Sequence, residues 1–153
     1  MPTIIVETRI NAPVEICFDA ARDIGLHCET AARTGERAIA GVTTGLINFG
    51  ETVTFEAVHF GIRQRLTAKI VEFERPHRFV DETLRSAFKS LRHIHEFVEA
   101  EQGTLMRDTL VWVSTFGILG VIADKIALER HMRNFLVERN NALKAVIENR
   151  SEK

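Results

Sequence analysis

Tyrosine is absent from the sequence, and the 153 residues include only two cysteines and one tryptophan. Without tyrosine the chain lacks the phenolic side chain that many enzymes use as a general acid. The two cysteines, Cys17 and Cys28, form no zinc-binding pattern at their spacing. We expect both to be reduced thiols buried in a cytoplasmic protein.

Long apolar runs and an excess of charge of one sign are also missing. No apolar stretch approaches the roughly 20 residues that span a bilayer, so we expect no membrane span. The formal net charge of -1 gives no reason to expect a nucleic-acid partner. The N-terminal stretch MPTIIVETRI alternates like a strand and carries charges from Glu7 onward, unlike a signal peptide.

Several motifs that would point to an enzyme are absent from the sequence. There is no glycine-rich phosphate loop, no serine-nucleophile elbow and no cysteine–histidine arrangement. Internal repeats, low-complexity tracts and linkers are missing as well. We therefore predict a single domain over residues 1–153, of a size that buries roughly 70% of its unfolded surface.

Hydrophobic periodicity predicts the order of the elements. An N-terminal strand is followed by a short helix, with Asn11 as its N-cap and Pro13 in its first turn, and by a second short helix from about Asp23. A run of strands is then predicted at 37–48, 51–60, 63–74, 78–85, 89–99 and 104–114. Apolar residues at helical spacing predict one continuous helix over about 118–148.

This order predicts an α+β fold. Strands joined by tight turns imply an antiparallel sheet of about seven strands, and the long C-terminal helix must bury its apolar stripe. The simplest arrangement is a curved sheet wrapped around that helix. We expect a hollow between the two.

The stretch LRHIHEF contains the residues most suited to chemistry. In a strand, Leu91, His93, His95 and Phe97 point to one face. Neighbouring strands have the same pattern, an apolar face with one acid or histidine. The candidate ligand-binding residues are Phe55, His59, Phe79, Asp81, His93, His95, Met106, Asp108 and Trp112.

Tight turns would place Asp81 opposite His93, and Asp108 opposite His95, within reach of a side-chain hydrogen bond. Four interpretations of such pairs stay open: satisfied structural histidines, recognition of a ligand in an apolar pocket, a metal site, and acid–base catalysis.

The basic residues near the C-terminus have a simpler interpretation. Arg130, Arg133 and Arg139 are expected on a solvated face of the long helix.

Several motifs together resemble one family: HFG at 59–61, RFVDE at 78–82, AFKSLRHIHEF at 87–97, GTLMRDTLVW at 103–112, FGILG at 116–120 and VERNNALK at 137–144. The chain is similar to the ligand-binding SRPBCC proteins, which share a superfamily with START lipid-transfer domains, the birch-pollen allergen Bet v 1 and polyketide cyclases. The resemblance covers nearly the whole chain. It implies a helix-grip fold with an internal cavity for a hydrophobic small molecule. His59, Asp81, His93, His95 and Asp108 match positions of the family pattern.

We therefore predict a protein that binds or carries a lipid-like or aromatic molecule, without a cofactor or a metal. The alternative is an enzyme that resembles polyketide cyclases and dehydratases and uses a histidine–aspartate pair for proton transfer. Its candidate catalytic residues are His93, His95 and Asp108. Homo-oligomerisation stays open.

Overall fold

The computed structural model describes residues 2–31, 34–59, 61–86, 88–114 and 118–151. The elements in chain order are β1 (Thr3–Ile10), α1 (Val14–Ala21), α2 (Ile24–Thr30), β2 (Arg37–Gly41), β3 (Thr52–His59), β4 (Ile62–Glu74), β5 (Arg78–Arg85), β6 (Phe88–Ala100), β7 (Gly103–Ser114) and α3 (Ile118–Ser151).

The seven strands form one antiparallel sheet in the order β1-β7-β6-β5-β4-β3-β2. Strands β2 to β7 pair with their neighbours in sequence, because short connections favour antiparallel pairing. The first strand closes the order by pairing with the last. Together with the two short helices and the long C-terminal helix, this architecture confirms the predicted helix-grip α+β fold.

The strand predicted over 37–48 is wrong in its second half, because β2 ends at Gly41. Gly41 has φ +72°, and a Cβ on it would lie 2.2 Å from the backbone oxygen of Thr52. Val42 N still donates to Thr52 O at 2.8 Å, but Gly45 and Ile47 bond to the junction of α1 and α2 instead of to β3. Ile24 N donates to Gly45 O, and Ile47 N donates to Arg22 O.

The predicted N-cap of α1 is also wrong. Helix α1 begins at Val14, so Pro13 occupies the cap position and provides no side-chain bond. Asn11 lies two residues too early to reach the first turn, and its N–H donates to Glu148 Oε2 at 3.1 Å. Helix α2 begins as predicted, with the Asp23 carboxylate accepting a hydrogen bond from Leu26 N. Cys17 is buried, Cys28 is partly buried, and both are free thiols.

Helix α3 runs for 34 residues without a break, which confirms the continuous helix predicted over 118–148. It packs against β1, α1 and α2. Within the described ranges, no helix is long and apolar enough to cross a membrane.

The core has two apolar clusters. The first lies under α1 and α2 and contains Phe18, Phe97, Met106, Leu143 and Ile147 among others. The second contains Ile4, Leu91, Leu110, Trp112 and Leu136. Along each of β6, β7 and α3, polar residues lie between a residue of the first cluster and a residue of the second cluster. A polar layer therefore separates the two halves of the core.

Candidate functional site

The pairing of β5, β6 and β7 brings two histidines and two aspartates onto one face of the sheet. Asp81 lies opposite His93 and His95 lies opposite Asp108, which confirms the predicted register. The hydrogen bonds nevertheless run diagonally. His93 Nε2 lies 2.8 Å from Asp108 Oδ1, and His95 Nε2 lies 2.9 Å from Asp81 Oδ2. Because a long side chain reaches the diagonal neighbour, register alone does not determine which acid each histidine binds.

Asp108 is the centre of this polar layer and is fully buried. Its Oδ2 accepts a hydrogen bond of 2.7 Å from Asn140 Nδ2 on α3. His95 Nδ1 lies 3.1 Å from Asp108 Oδ1 but outside the hydrogen-bonding direction, so that contact is electrostatic. Asp108 thus links the sheet to the helix.

Sequence reasoning missed Asn140. It lies four positions after Leu136 and three before Leu143, which are both buried. An asparagine within a buried helical stripe needs a hydrogen-bond partner, and this spacing is the signal that would have found it.

The two carboxylates are ionised. Burial alone would raise the pKa of Asp108, but His93 and His95 outweigh it and hold that pKa well below its usual value. The same balance, with His95 as the main partner, lowers the pKa of Asp81. An ionised carboxylate only accepts hydrogen bonds. His93 and His95 therefore both donate through Nε2–H.

The two histidines differ in basicity. Burial is the main cause that lowers the pKa of His93 below 6.5, and the neighbouring His95 adds to it; together they outweigh the raising effect of Asp108 and Asp81. Burial also acts to lower the pKa of His95, but Asp108 and Asp81 outweigh this effect and raise it above 6.5. His93 is therefore the neutral ring and His95 the more basic one.

A neutral His93 that donates through Nε2 carries a bare lone pair on Nδ1. No other residue in the described part of the chain forms a hydrogen bond with this nitrogen. Ring stacking holds it in place: the His93 and His95 centroids lie 3.7 Å apart, and Phe79 stacks on the other side of His95 at 4.1 Å. The lone pair is therefore held in a defined orientation.

A cavity of about 420 Å³ lies between the sheet and α3. This volume falls in the range of small-molecule sites. Its apolar wall includes Phe55, Leu66, Phe79, Met132, Phe135 and Leu136. Ala127 also belongs to the wall and is exposed, so the cavity reaches the surface beside α3.

The structure brings most of the predicted ligand-binding residues to this cavity. Those in the wall are Phe55, His59, Phe79, Asp81, His93 and His95. Met106, Asp108 and Trp112 are on the same face of the sheet but lie outside the wall. Met106 packs in the cluster of Leu143, and Trp112 packs in the cluster of Leu136. Helix α3 covers these side chains of β7, so they pack beside the cavity wall and do not line the cavity.

Two further polar pairs line the wall. His27 Nε2 lies 2.6 Å from Glu36 Oε1, and its ring stacks on Phe55 at 4.5 Å. His59 Nδ1 lies 2.8 Å from His131 Nε2. Burial is the main cause that lowers the pKa of both His59 and His131, so this pair is uncharged at neutral pH. Of these residues, sequence reasoning identified only His59.

Arg139 contradicts the expectation of a solvated helix face. It is 4% exposed and belongs to the cavity wall, whereas Arg130 and Arg133 are exposed as expected. Arg139 follows Met132 by seven positions and Leu136 by three, which places it on the stripe of α3 that faces the cavity.

One group of side chains has a geometry that suits a metal ion. Asp81, His93 and His95 each offer a ligand atom, and these atoms lie within 4.8 Å of one another. Catalytic zinc is typically held by three protein ligands and keeps a fourth position open. The absence of a metal therefore stays a prediction.

Comparison with known proteins supports the fold. No family model and no curated protein matches the sequence. The chain is similar in structure to the protein of unknown function SA2116 from Staphylococcus aureus, with a TM-score of 0.76, 16% identity, and 99% of this chain and 96% of that chain covered. It is also similar to TTHA0849 from Thermus thermophilus, with a TM-score of 0.74, 18% identity, and 95% and 99% covered. A third similar structure is the major latex-like protein 151 from Panax ginseng, with a TM-score of 0.68, 11% identity, and 94% and 95% covered. The fold is therefore that of the Bet v 1-like helix-grip proteins, as the sequence resemblance predicted.

Proposed function

We propose that the protein binds a hydrophobic small molecule, lipid-like or aromatic, in the cavity between the sheet and α3. The observation that carries this proposal is an apolar cavity of about 420 Å³ with His93 in its wall. Apolar walls with a few convergent polar groups are the usual design of small-molecule sites. His93 Nδ1 accepts a hydrogen bond from a polar group of the bound molecule.

The rest of the polar layer has a structural part in this proposal. His95 lies between two carboxylates, and Asp108 is occupied by His93 and Asn140. These contacts orient His93, and they engage His95, Asp81 and Asp108 with partners inside the layer. In this proposal His93 Nδ1 contacts the bound molecule, and the other polar residues of the layer hold His93 in position.

A neutral fluorescent probe tests binding in the cavity. We expect 9-anthracenemethanol to bind the wild type, and Ala57→Phe to weaken that binding strongly, because Ala57 is 7% exposed and belongs to the cavity wall. The matched control is Val58→Phe on the same strand, since Val58 is 45% exposed. Thermal unfolding of both variants checks that they fold. Equal affinity of Ala57→Phe and wild type would contradict the proposal.

His93→Phe tests the recognising atom. The change roughly preserves volume but removes the acceptor, so we expect binding of 9-anthracenemethanol to weaken by about 1–3 kcal/mol. The fold should survive with reduced stability, because Asp108 also loses the His93 donor. A large loss of stability with unchanged affinity would instead assign His93 a purely structural role.

A second candidate function is catalysis by proton transfer, as in cyclases and dehydratases. It is favoured by the Asp108–His93 hydrogen bond of 2.8 Å together with the bare Nδ1, the arrangement of an oriented general base. Native mass spectrometry of the purified protein would identify a copurifying molecule. In D₂O, His93 acting as a base would exchange an acidic C–H of that molecule for C–D, and His93→Gln would abolish the exchange while the molecule stays bound. Exchange that is equally fast in both proteins would exclude this role.

A further inference from the structure

Arg139 places a guanidinium in the wall of the cavity. It is 4% exposed, and it lies on α3 beside the polar layer, next in sequence to Asn140. A guanidinium stays charged under all ordinary conditions and has five N–H donors. Placing one in a mostly apolar cavity is costly unless something compensates the charge.

No carboxylate in the described part of the chain forms an ion pair with it. Among the residues that the structure describes, Arg139 has no ion pair within 4.0 Å, and its buried Nε has no hydrogen-bond partner. Arg22, another buried arginine of the cavity wall, is different. Its guanidinium bonds to Asp19 Oδ1 at 2.9 Å, to Asn48 Oδ1 at 2.9 Å and to Ile47 O at 3.2 Å.

The acidic residues of the described cavity wall, Glu36 and Asp81, are already engaged. Glu36 binds His27 at 2.6 Å and Asp81 binds His95 at 2.9 Å. Both carboxylates feel the positive charge of Arg139, which helps to lower the pKa of each after larger effects of burial and of the histidines. They balance the charge from a distance without using the donors of the guanidinium.

We infer that Arg139 anchors the acidic head of the bound molecule, and that the cavity takes an organic monoanion, a carboxylate with a large apolar body. This inference rests on the proposed function, because it names the chemical class of the same cavity's occupant. A carboxylate matches the planar fork of a guanidinium with two parallel hydrogen bonds. A doubly charged phosphate fits less well, because Glu36 and Asp81 would repel the second charge.

A matched pair of probes tests the inference. 9-Anthracenecarboxylate and 9-anthracenemethanol share one ring system and differ in the charge of the head. We expect the wild type to bind the acid more tightly than the alcohol. Arg139→Met should weaken the acid by about ten-fold or more, since hydrogen bonds to charged groups are strong, and should change the affinity of the alcohol little. Arg139→Lys should retain part of the preference, and the exposed Arg130→Met serves as the control that retains all of it.

Thermal unfolding gives a second readout that does not depend on affinity. Removing a buried charge that has no direct ion-pair partner among the described residues should raise the melting temperature of Arg139→Met without probe. The acid should then stabilise the wild type and leave the variant unchanged. A variant that does not fold would reveal itself by failing to bind the alcohol, and Arg139→Lys then carries the comparison.

The outcomes separate the two proposals. If the alcohol binds the wild type but the acid binds no more tightly, or if Arg139→Met weakens both probes equally, the anchoring role is refuted and cavity binding stands. If neither probe binds, the proposed function fails and the inference fails with it.

Discussion

Replacing Asp108 with asparagine is the sharpest test of the polar layer. The change keeps the shape of the side chain but removes its charge and turns one acceptor into a donor. Two donors point at this carboxylate, His93 Nε2 at 2.8 Å and Asn140 Nδ2 at 2.7 Å. The single oxygen of asparagine cannot replace both acceptor oxygens, and the two histidines lose the negative charge beside them. Each hydrogen bond to a charged group contributes about 1.5–3 kcal/mol, and breaking a buried pair on one side costs about 3–5 kcal/mol.

We therefore expect Asp108→Asn to lower the free energy of unfolding by about 3–5 kcal/mol, which corresponds to roughly 6–20 °C in melting temperature. Urea unfolding followed by fluorescence measures this directly, because Trp112 is the only tryptophan and is 1% exposed. The matched control is Glu7→Gln, whose partner Arg107 lies 3.7 Å away on the next strand with both side chains exposed. Such surface pairs contribute about 0–1 kcal/mol. An Asp108→Asn variant as stable as the control would refute the electrostatic account of the layer.

Two further predictions concern pH and backbone conformation. The pKa of His95 is raised above 6.5 in the folded state, so its contribution to stability is fully present below pH 6.5 and is lost as the pH rises through the folded pKa. His93 has the opposite sign, because its pKa is lowered and stability is lost as the pH falls below 6.5 towards the folded value. Urea midpoints between about pH 5 and pH 9 should show the decline at high pH in the wild type and not in His95→Gln, and a decline of equal size in both would contradict this assignment. Gly41→Ala should destabilise more than Gly35→Ala, since both have positive φ but only the new Cβ at position 41 meets a backbone oxygen, that of Thr52 at 2.2 Å; equal melting temperatures would show that β2 simply shifts away.

Local sequence patterns predicted the architecture because each helix or strand has its own hydrophobic periodicity. Period-two alternation and turn residues located the strands of the sheet, and a stripe of apolar residues located α3. Register followed from the same logic, since tight turns leave little choice of pairing. The sequence therefore predicted that Asp81 lies opposite His93 and that His95 lies opposite Asp108.

Errors arose where a distant contact decided the local structure. The strand expected over 37–48 stops at Gly41, and Gly45 and Ile47 bond to the junction of α1 and α2 instead of to β3. Asn11 has the chemistry of a helix cap, yet α1 begins only at Val14, and the backbone N–H of Asn11 bonds to the Glu148 carboxylate on α3. In both cases the partner is distant in sequence, so no local pattern predicts the contact.

The sequence by itself determined which residues share a face, because strand and helix periods are properties of the backbone. Only the tertiary structure decided what each face meets. Helix α3 covers Met106 and Trp112 and leaves His93 at the cavity, although all three are on the same face of the sheet. It also turns Arg139 inward, against the usual preference of arginine for solvent. The angle at which a helix lies across a sheet depends on contacts summed along its whole length, and no short stretch of sequence contains that sum.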